Sequence, residues 1–532
     1  NDFTSVTTAL FARQSVYYVN PAVALPTVTN NTVDNAVNGF VFFQNDDSNP
    51  QINNNNPMSK IGKDAISIMD FPGLSNRSYI HTNTISLSGG GWPNGLSDGN
   101  GVGIRLTTTR NPAVCQNNIT HSPDGEGSIC IVADGSTIAT ITNNHTMLTA
   151  LGPPYLGSHT GIRYSMTDNS TLDCNFFTRN TFGLIVNGVS TLTKISKNTF
   201  VEGLKQGMIY NMATTQVQPH TGNRWTYLTD ASFPGAVNNG SSVVANRFIV
   251  DGAESSDLLP FVQAAPGWFQ NESTQENTPL CIPGGNICTV PIPFAPGGGD
   301  EEMISKIINN ELTFGEYAAA SSWLASRQAL SWIAVNGLTT TAPYAAYWTQ
   351  HYNTSQGKLA QLEAGAIAWK SAHTTQEQQM GALWADMLAL MEGTNQSQAA
   401  QDLFESKRQQ LETLRNAWDA DYTQLLSNWA TVNATLPETE IYVYNQKRLN
   451  TLLLDMRSRN PLTLTTAEQT MLQEVAGQCL FAGGPAVLQA RYLLSLQDGE
   501  ITWDDEVLCS ERGQEAAAKV YMPGDLQVTP NP

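Results

Sequence analysis

Charge is scarce in this chain, and positive charge is the scarcer sign. Only 14% of its 532 residues are charged, and 27 Lys and Arg stand against 46 Asp and Glu, a formal charge of −19. No basic cluster is present to neutralise phosphates, which argues against nucleic acid as a partner. Long apolar runs are missing too: nothing approaches the roughly 18 consecutive apolar residues of a spanning helix, so no membrane span is expected. The seven histidines are scattered and no Cys-x-x-Cys occurs, so no zinc site is expected. Neither an initiator Met nor a signal peptide precedes Asn1-Asp2-Phe3, and the chain reads as a processed or partial piece of something longer. What is plentiful is Asn, Thr, Ser and Gly, a composition suited to extracellular β-structure with a soluble, self-repelling surface.

From about residue 161 to 250 a short pattern returns. Glycine followed by an apolar residue occurs at Gly161-Ile162, Gly183-Leu184 and Gly207-Met208, in steps of 22 and 24. Asparagine with an aromatic partner occurs at Asn175, Asn198, Asn223 and Asn246, in steps of 23, 25 and 23. Such a period marks stacked repeats, each too small to bury its own apolar face. Leu184-Ile185-Val186 is apolar throughout, as in a strand covered on both sides, and Thr191 to Ile195 is β-branched at every second position. Coils of this length leave no room for a crossover helix. The expected fold is therefore a parallel β-helix, right-handed by the usual preference of parallel connections, with a β-sandwich as the alternative. Asparagines at equivalent turns would hydrogen-bond the backbone of the next coil.

Earlier coils are expected around Gly39 to Phe43, Ala65 to Ile68, Thr84 to Leu87 and Gly103-Ile104-Arg105, with Asn111 to Gly127 projecting as a loop. The period stops near Asp251. Pro260, Pro266, Trp268 and Phe269 then read as a cap over the last coil, whose strand edges need cover. Pro291 to Gly299 reads as a linker. Beyond it the pattern turns helical. Thr313 with Glu316 and Thr465 with Glu468 read as capping boxes, and Leu411, Leu414, Trp418, Tyr422, Leu425 and Trp429 form one helical stripe. The organisation is thus mixed and multidomain: a β-helix with projecting loops over 1–250, cap and linker over 251–300, an α-helical array over 301–510, and a linker to a further domain over 511–532.

The cysteines suggest an oxidising compartment. Cys115 with Cys130, Cys281 with Cys288, and Cys479 with Cys509 are the candidate disulfides, leaving Cys174 as a small core residue. At the C-terminus, Leu526 to Pro532 is a strand-like run ending in Pro-Asn-Pro.

The coils at Asn198-Thr199-Phe200 and Asn223-Arg224-Trp225, with this final Pro-Asn-Pro, resemble the large β-helix surface proteins that Bacteroidota export through the type 9 secretion system. The terminal run is similar to the opening of their type A sorting domain. The resemblance covers about residues 160–250 and the last seven, and implies outer-surface attachment or release and passage through the type 9 machinery. It carries over no catalytic residue.

The leading functional expectation is an extracellular structural or adhesive protein, a homo-oligomer or filament with a cell-surface or glycan ligand. The alternative is a polysaccharide lyase or glycoside hydrolase built on the β-helix. Such chemistry needs paired carboxylates or a base beside a cation. Its candidates are Asp168 and Asp173 near one turn, with Lys194, Lys197 and Lys205 on neighbouring coils; ordinary solvated turns and faces account for all five. Asp124-Gly125-Glu126 offers two carboxylates, short of the roughly six to eight oxygens that calcium takes. No catalytic, cofactor or metal residue is therefore assigned.

Overall fold

The computed structural model describes residues 2–4, 8–13, 27–34, 36, 38–43, 51–61, 63–70, 78–87, 101–122, 128–149, 159–202, 205–226, 235–250, 256–260, 265–272, 281, 298–392, 397–456, 464–496, 503 and 505–510. Its N-terminal half is a parallel β-solenoid with three faces. One nine-stranded sheet includes Val102–Thr107, Ile129–Asp134, Thr160–Ser165, Phe182–Val189 and Gln206–Thr214; we call it the broad sheet. A second nine-stranded sheet includes Asn118–His121, His145–Leu148, Phe176–Thr178 and Thr199–Val201, and a seven-stranded sheet includes Ala113–Cys115, Thr140–Thr142 and Thr171–Asp173. Neighbouring strands pair in parallel, coil on coil.

The recurring asparagines form one internal ladder. Side-chain amides link Asn31, Asn55, Asn83, Asn117, Asn144, Asn175, Asn198 and Asn223 in order, each Nδ2 donating to the next Oδ1 at 2.9–3.1 Å. Each successive Oδ1 also accepts from the backbone N–H one coil earlier, as Asn144 does from Asn117 at 3.1 Å. The residue before each ladder asparagine has positive φ, whether it is Thr82, Gln116, Cys174, Lys197 or Gly222. That left-handed bend turns the backbone inward, and the buried amide satisfies the polar groups it strands. Asn246 does not belong to this ladder; its Oδ1 accepts from Thr215 N at 2.6 Å at a different corner.

Glycine and aromatic recur together because they fill one slot. A Cβ on Gly183 would lie 2.6 Å from the Phe200 ring and 2.5 Å from the Gly207 carbonyl, and Gly161 and Gly207 sit likewise against Phe177 and Trp225. Phe177, Phe200 and Trp225 stack with centroids 4.8 and 5.3 Å apart. Among the described residues Phe269 is the last of the column, edge-on to Trp225 at 5.4 Å, and its strand Phe269–Asn271 pairs with Phe248–Val250. Trp268 is fully buried beside it.

The C-terminal half is helical: α1 (Gly298–Ile308), α2 (Ala318–Val335), α3 (Tyr344–His351), α4 (Ser355–Glu392), α5 (Gln398–Ala434), α6 (Ile441–Met456), α7 (Thr466–Ala476), α8 (Leu480–Gly483), α9 (Pro485–Ser495) and α10 (Asp505–Leu508). Helix α1 begins inside the expected linker. Helices α4 and α5 are long partners; Trp418 and Leu411 from the stripe are buried against Met380 and Met387. Thr465 and Glu468 form a reciprocal capping box at α7. Thr313 and Glu316 do not: α2 starts at Ala318 with Tyr317 as its N-cap and no side-chain cap. No helix among the described residues is long and apolar enough to cross a membrane.

Helices cover the outer face of the broad sheet. Ser67 and Tyr492 hydroxyls meet at 2.9 Å, and Gln328 holds Thr191 Oγ1 at 2.8 Å and the Val189 carbonyl at 3.2 Å. Phe43, Met69, Met166 and Val189 share one buried core with Trp323, Leu324 and Ile333. This explains why Asp64–Met69 is buried at every position, where a solvated face would alternate.

Five expectations on the coils and cysteines are corrected, among them Cys174 as an unpaired core residue. Residues 113–115 and 118–121 are ladder strands, not a projecting loop, and Thr191 to Thr193 precede the strand Lys194–Ser196, Leu192 having positive φ. Cys130 is free and buried, so it is not the partner of the disulfide-bonded Cys115. Cys281 joins Cys174, 107 residues away, and not Cys288; coil stacking brings distant turns together where a short loop looked sufficient in sequence. Cys479 and Cys509 are joined.

Candidate functional site

Where α2 crosses the solenoid, a cavity of about 150 Å³ lies between coil turns and five helices. The solenoid side centres on one column, with Asp70, Thr108, Met166 and Asn169 beside it. Arg110, Thr137 and Asp168 occupy equivalent positions on successive coils, paired through isolated parallel bridges, so Arg110 and Asp168 stand two rungs apart. At the ordinary strand spacing that is about 9–10 Å along the axis. On the helical side, Leu324, Arg327, Gln328, Ser331, Trp332 and Val335 reach it from one face of α2, at the three- and four-residue spacing that aligns side chains on a helix. Glu363 of α4, Trp429 of α5, the i,i+4 pair Gln446 and Asn450 of α6, and Gln489 of α9 complete the lining.

The charges interlock. Arg327 Nε donates to Glu363 Oε1 at 2.9 Å, and its Nη2 reaches the same oxygen. Burial pulls the Arg110 guanidinium down to about 10, against the opposing pull of Glu363, Asp168 and Asp70, so it stays charged at neutral pH. Burial, then the Glu363 carboxylate, pushes Asp168 up to about 7, against the nearby Arg327 and Arg110. A carboxyl that titrates near neutrality beside a second carboxylate can hold or release a proton at working pH.

The amides form a fixed bed. Gln446 Nε2 donates to Asn450 Oδ1 at 2.9 Å and to Gln489 Oε1 at 3.3 Å, while Asn450 Nδ2 donates to Asn433 Oδ1 at 3.0 Å. Gln446 is 3% exposed, yet its Oε1 accepts no hydrogen bond among the described residues. Asn169 on the opposite wall is half-buried, and its Oδ1 likewise accepts no hydrogen bond among the described residues.

Of the acidic pair expected from the sequence, only Asp168 reaches this cavity. Asp173 lies beyond the corner on the seven-stranded sheet, where Ser196 Oγ donates to it at 2.6 Å. Lys194 and Lys205 are exposed and Lys197 is half-exposed, none of them lining the cavity. Asp124, Gly125 and Glu126 fall outside the described residues. Arg110, Arg327, Glu363 and Gln446 were not singled out by sequence. The i,i+4 spacing of polar residues in α6 was the one available signal.

A second cluster lies inside the solenoid. Cys130 Sγ is 2.9 Å from His121 Nε2; His121 Nδ1 is 2.7 Å from Ser128 Oγ, which is 3.0 Å from His159 Nδ1. Burial raises the thiol, and burial followed by His159 lowers His121 to about 3. Both shifts oppose the thiolate–imidazolium pair of a cysteine nucleophile.

No protein-family model matches the chain, and neither a curated protein nor a solved structure does. The functional reading therefore rests on this chain's own residues.

Proposed function

We propose that this protein is an extracellular structural or adhesive protein, a rod-like β-helix exported by type 9 secretion and built into a larger adhesin, fibre or hook assembly. The observation that carries this reading is the continuous amide ladder from Asn31 to Asn223. Such a ladder couples each coil to the next, as a continuous rod of stacked repeats requires. The disulfides support an oxidising destination, and the Pro-Asn-Pro ending supports the export route. Negative-stain images and sedimentation of the native protein test it: elongated self-associating particles that adhere to cells or glycans are expected. A strictly monomeric particle without such affinity overturns it. Loss of surface display in a strain lacking the type 9 translocon is expected on the same reading.

A second reading, a polysaccharide lyase or glycoside hydrolase, is favoured by Asp168 and Glu363 facing one cavity with two arginines. Cleavage of a glycan that Asp168→Asn abolishes supports it; no cleavage across a broad panel removes it.

A further inference from the structure

We propose that the cavity between the solenoid and the helical array is a binding site for a neutral saccharide, taking one sugar unit or the end of a chain. This assignment concerns binding alone; it deepens the glycan readings above by naming the ligand class this cavity takes, and it stands or falls separately from cleavage. Size sets the first limit. At about 150 Å³ the cavity is smaller than the roughly 300–1,000 Å³ that buries a drug-sized ligand, so it admits a single ring rather than a long stretch.

Charge sets the second. Glu363 is already engaged by Arg327, and Arg110 faces Asp70 and Asp168. With Asp168 holding its proton for much of the time near pH 7, the group is close to electrically balanced. Bringing a net charge into a balanced site costs desolvation without a matching partner. A neutral ligand avoids that cost.

The unused hydrogen-bonding capacity supplies the third argument. Gln446 Oε1 and Asn169 Oδ1 are buried acceptors without donors. An orphaned buried acceptor is costly, and a ligand bearing donors relieves it once a turn of the amide presents that oxygen to the cavity. Hydroxyls are the donors that also accept from arginine, and a pyranose carries them around an apolar ring. Trp332 and Trp429 line the same cavity and offer aromatic surface to that ring.

The experiment titrates the whole protein with glucose, galactose, mannose and N-acetylglucosamine and their disaccharides, following tryptophan fluorescence and heat. Glucuronate and glucosamine serve as charged counterparts, and a reducing-end assay on the same mixtures separates binding from cleavage. Saturable binding of at least one neutral sugar is expected, with its charged counterparts weaker by about tenfold or more. Gln446→Leu, similar in volume, should weaken binding about tenfold; it also leaves Asn450 Oδ1 and Gln489 Oε1 without their donor, so its melting temperature should fall and its binding is measured well below that temperature. Because Gln446 is packed among other amides, Asn169→Gly is the second variant: it suits the positive φ of Asn169 and should weaken binding severalfold. No saturation by any neutral sugar overturns the proposal. So does tighter binding of glucuronate or glucosamine, or unchanged binding in both folded variants. Binding without cleavage upholds it and removes only the enzyme reading.

Discussion

The buried asparagine is the unit on which the solenoid turns. Asn117 Nδ2 donates to Asn144 Oδ1 and to the carbonyls of Ile80 and Cys115, and its Oδ1 accepts from Asn83. Asn117→Leu leaves several of these groups unpaired. At about 1–3 kcal/mol for each orphan, a loss of several kcal/mol is expected, read as a lower urea midpoint. Buried titratable groups give opposite pH signs. His121 stays neutral in the fold, with its pKa depressed to about 3 from 6.5. Its contribution is full above pH 6.5 and is lost as pH falls toward 3, at up to about 1.4 kcal/mol per pH unit. The lowered His81, His145, His159 and His351 add to this loss. Asp168 runs the other way. With its pKa raised from 3.8 to about 7, it favours the fold at low pH and loses that contribution as pH rises through 7. Urea unfolding from pH 4 to 8 should therefore show a flatter acid limb in His121→Gln and a steeper one in Asp168→Asn. Little of this residue-level detail is visible in sequence. Asn175, Asn198 and Asn223 announced themselves through their period, but Asn246 kept the period and left the column. Asn31 to Asn144 joined the column with irregular spacing, because the loops between them differ in length.

At the level of the element, the glycine strands are the least tolerant. In Gly183→Ala the new Cβ meets a backbone carbonyl at 2.5 Å and an aromatic ring at 2.6 Å, so a coil must shift. Overpacking of this kind costs about 1–3 kcal/mol, and a lower thermal midpoint with weaker protection of Phe182–Val189 in hydrogen exchange is expected. The strands were legible because glycine, apolar run and aromatic recur together, and the α5 stripe because its steps follow the helical period. The cavity was not. Arg110, Arg327, Glu363 and Gln446 are each a lone polar residue within an ordinary segment, and Arg110 adjoined a stretch that reads as a loop. Their meeting depends on which coil α2 crosses, and no local pattern encodes that crossing.

Across the whole molecule, solenoid and helices are joined by shared burial. Tyr492 is 1% exposed, reaches Ser67 through its hydroxyl, and belongs to the core that also holds Phe43 and Met69. Tyr492→Ala should cost about 3–5 kcal/mol. If the two halves unfold together, hydrogen exchange should rise in Asp64–Met69 as well as in α9. Exchange rising in α9 alone would mean that the halves unfold separately.

The column Arg110–Thr137–Asp168 also makes the solenoid a ruler. Separations between groups on it change only in whole steps of about 4.8 Å. Adding or deleting one complete turn between residues 111 and 167 would move Asp168 by one such graduation relative to Arg110, while α2 kept its own pitch. Each added turn would also draw Ser67 and Thr191 one step further apart, so Tyr492 and Gln328 could not both keep their partners, and the helical array thereby gauges the number of turns.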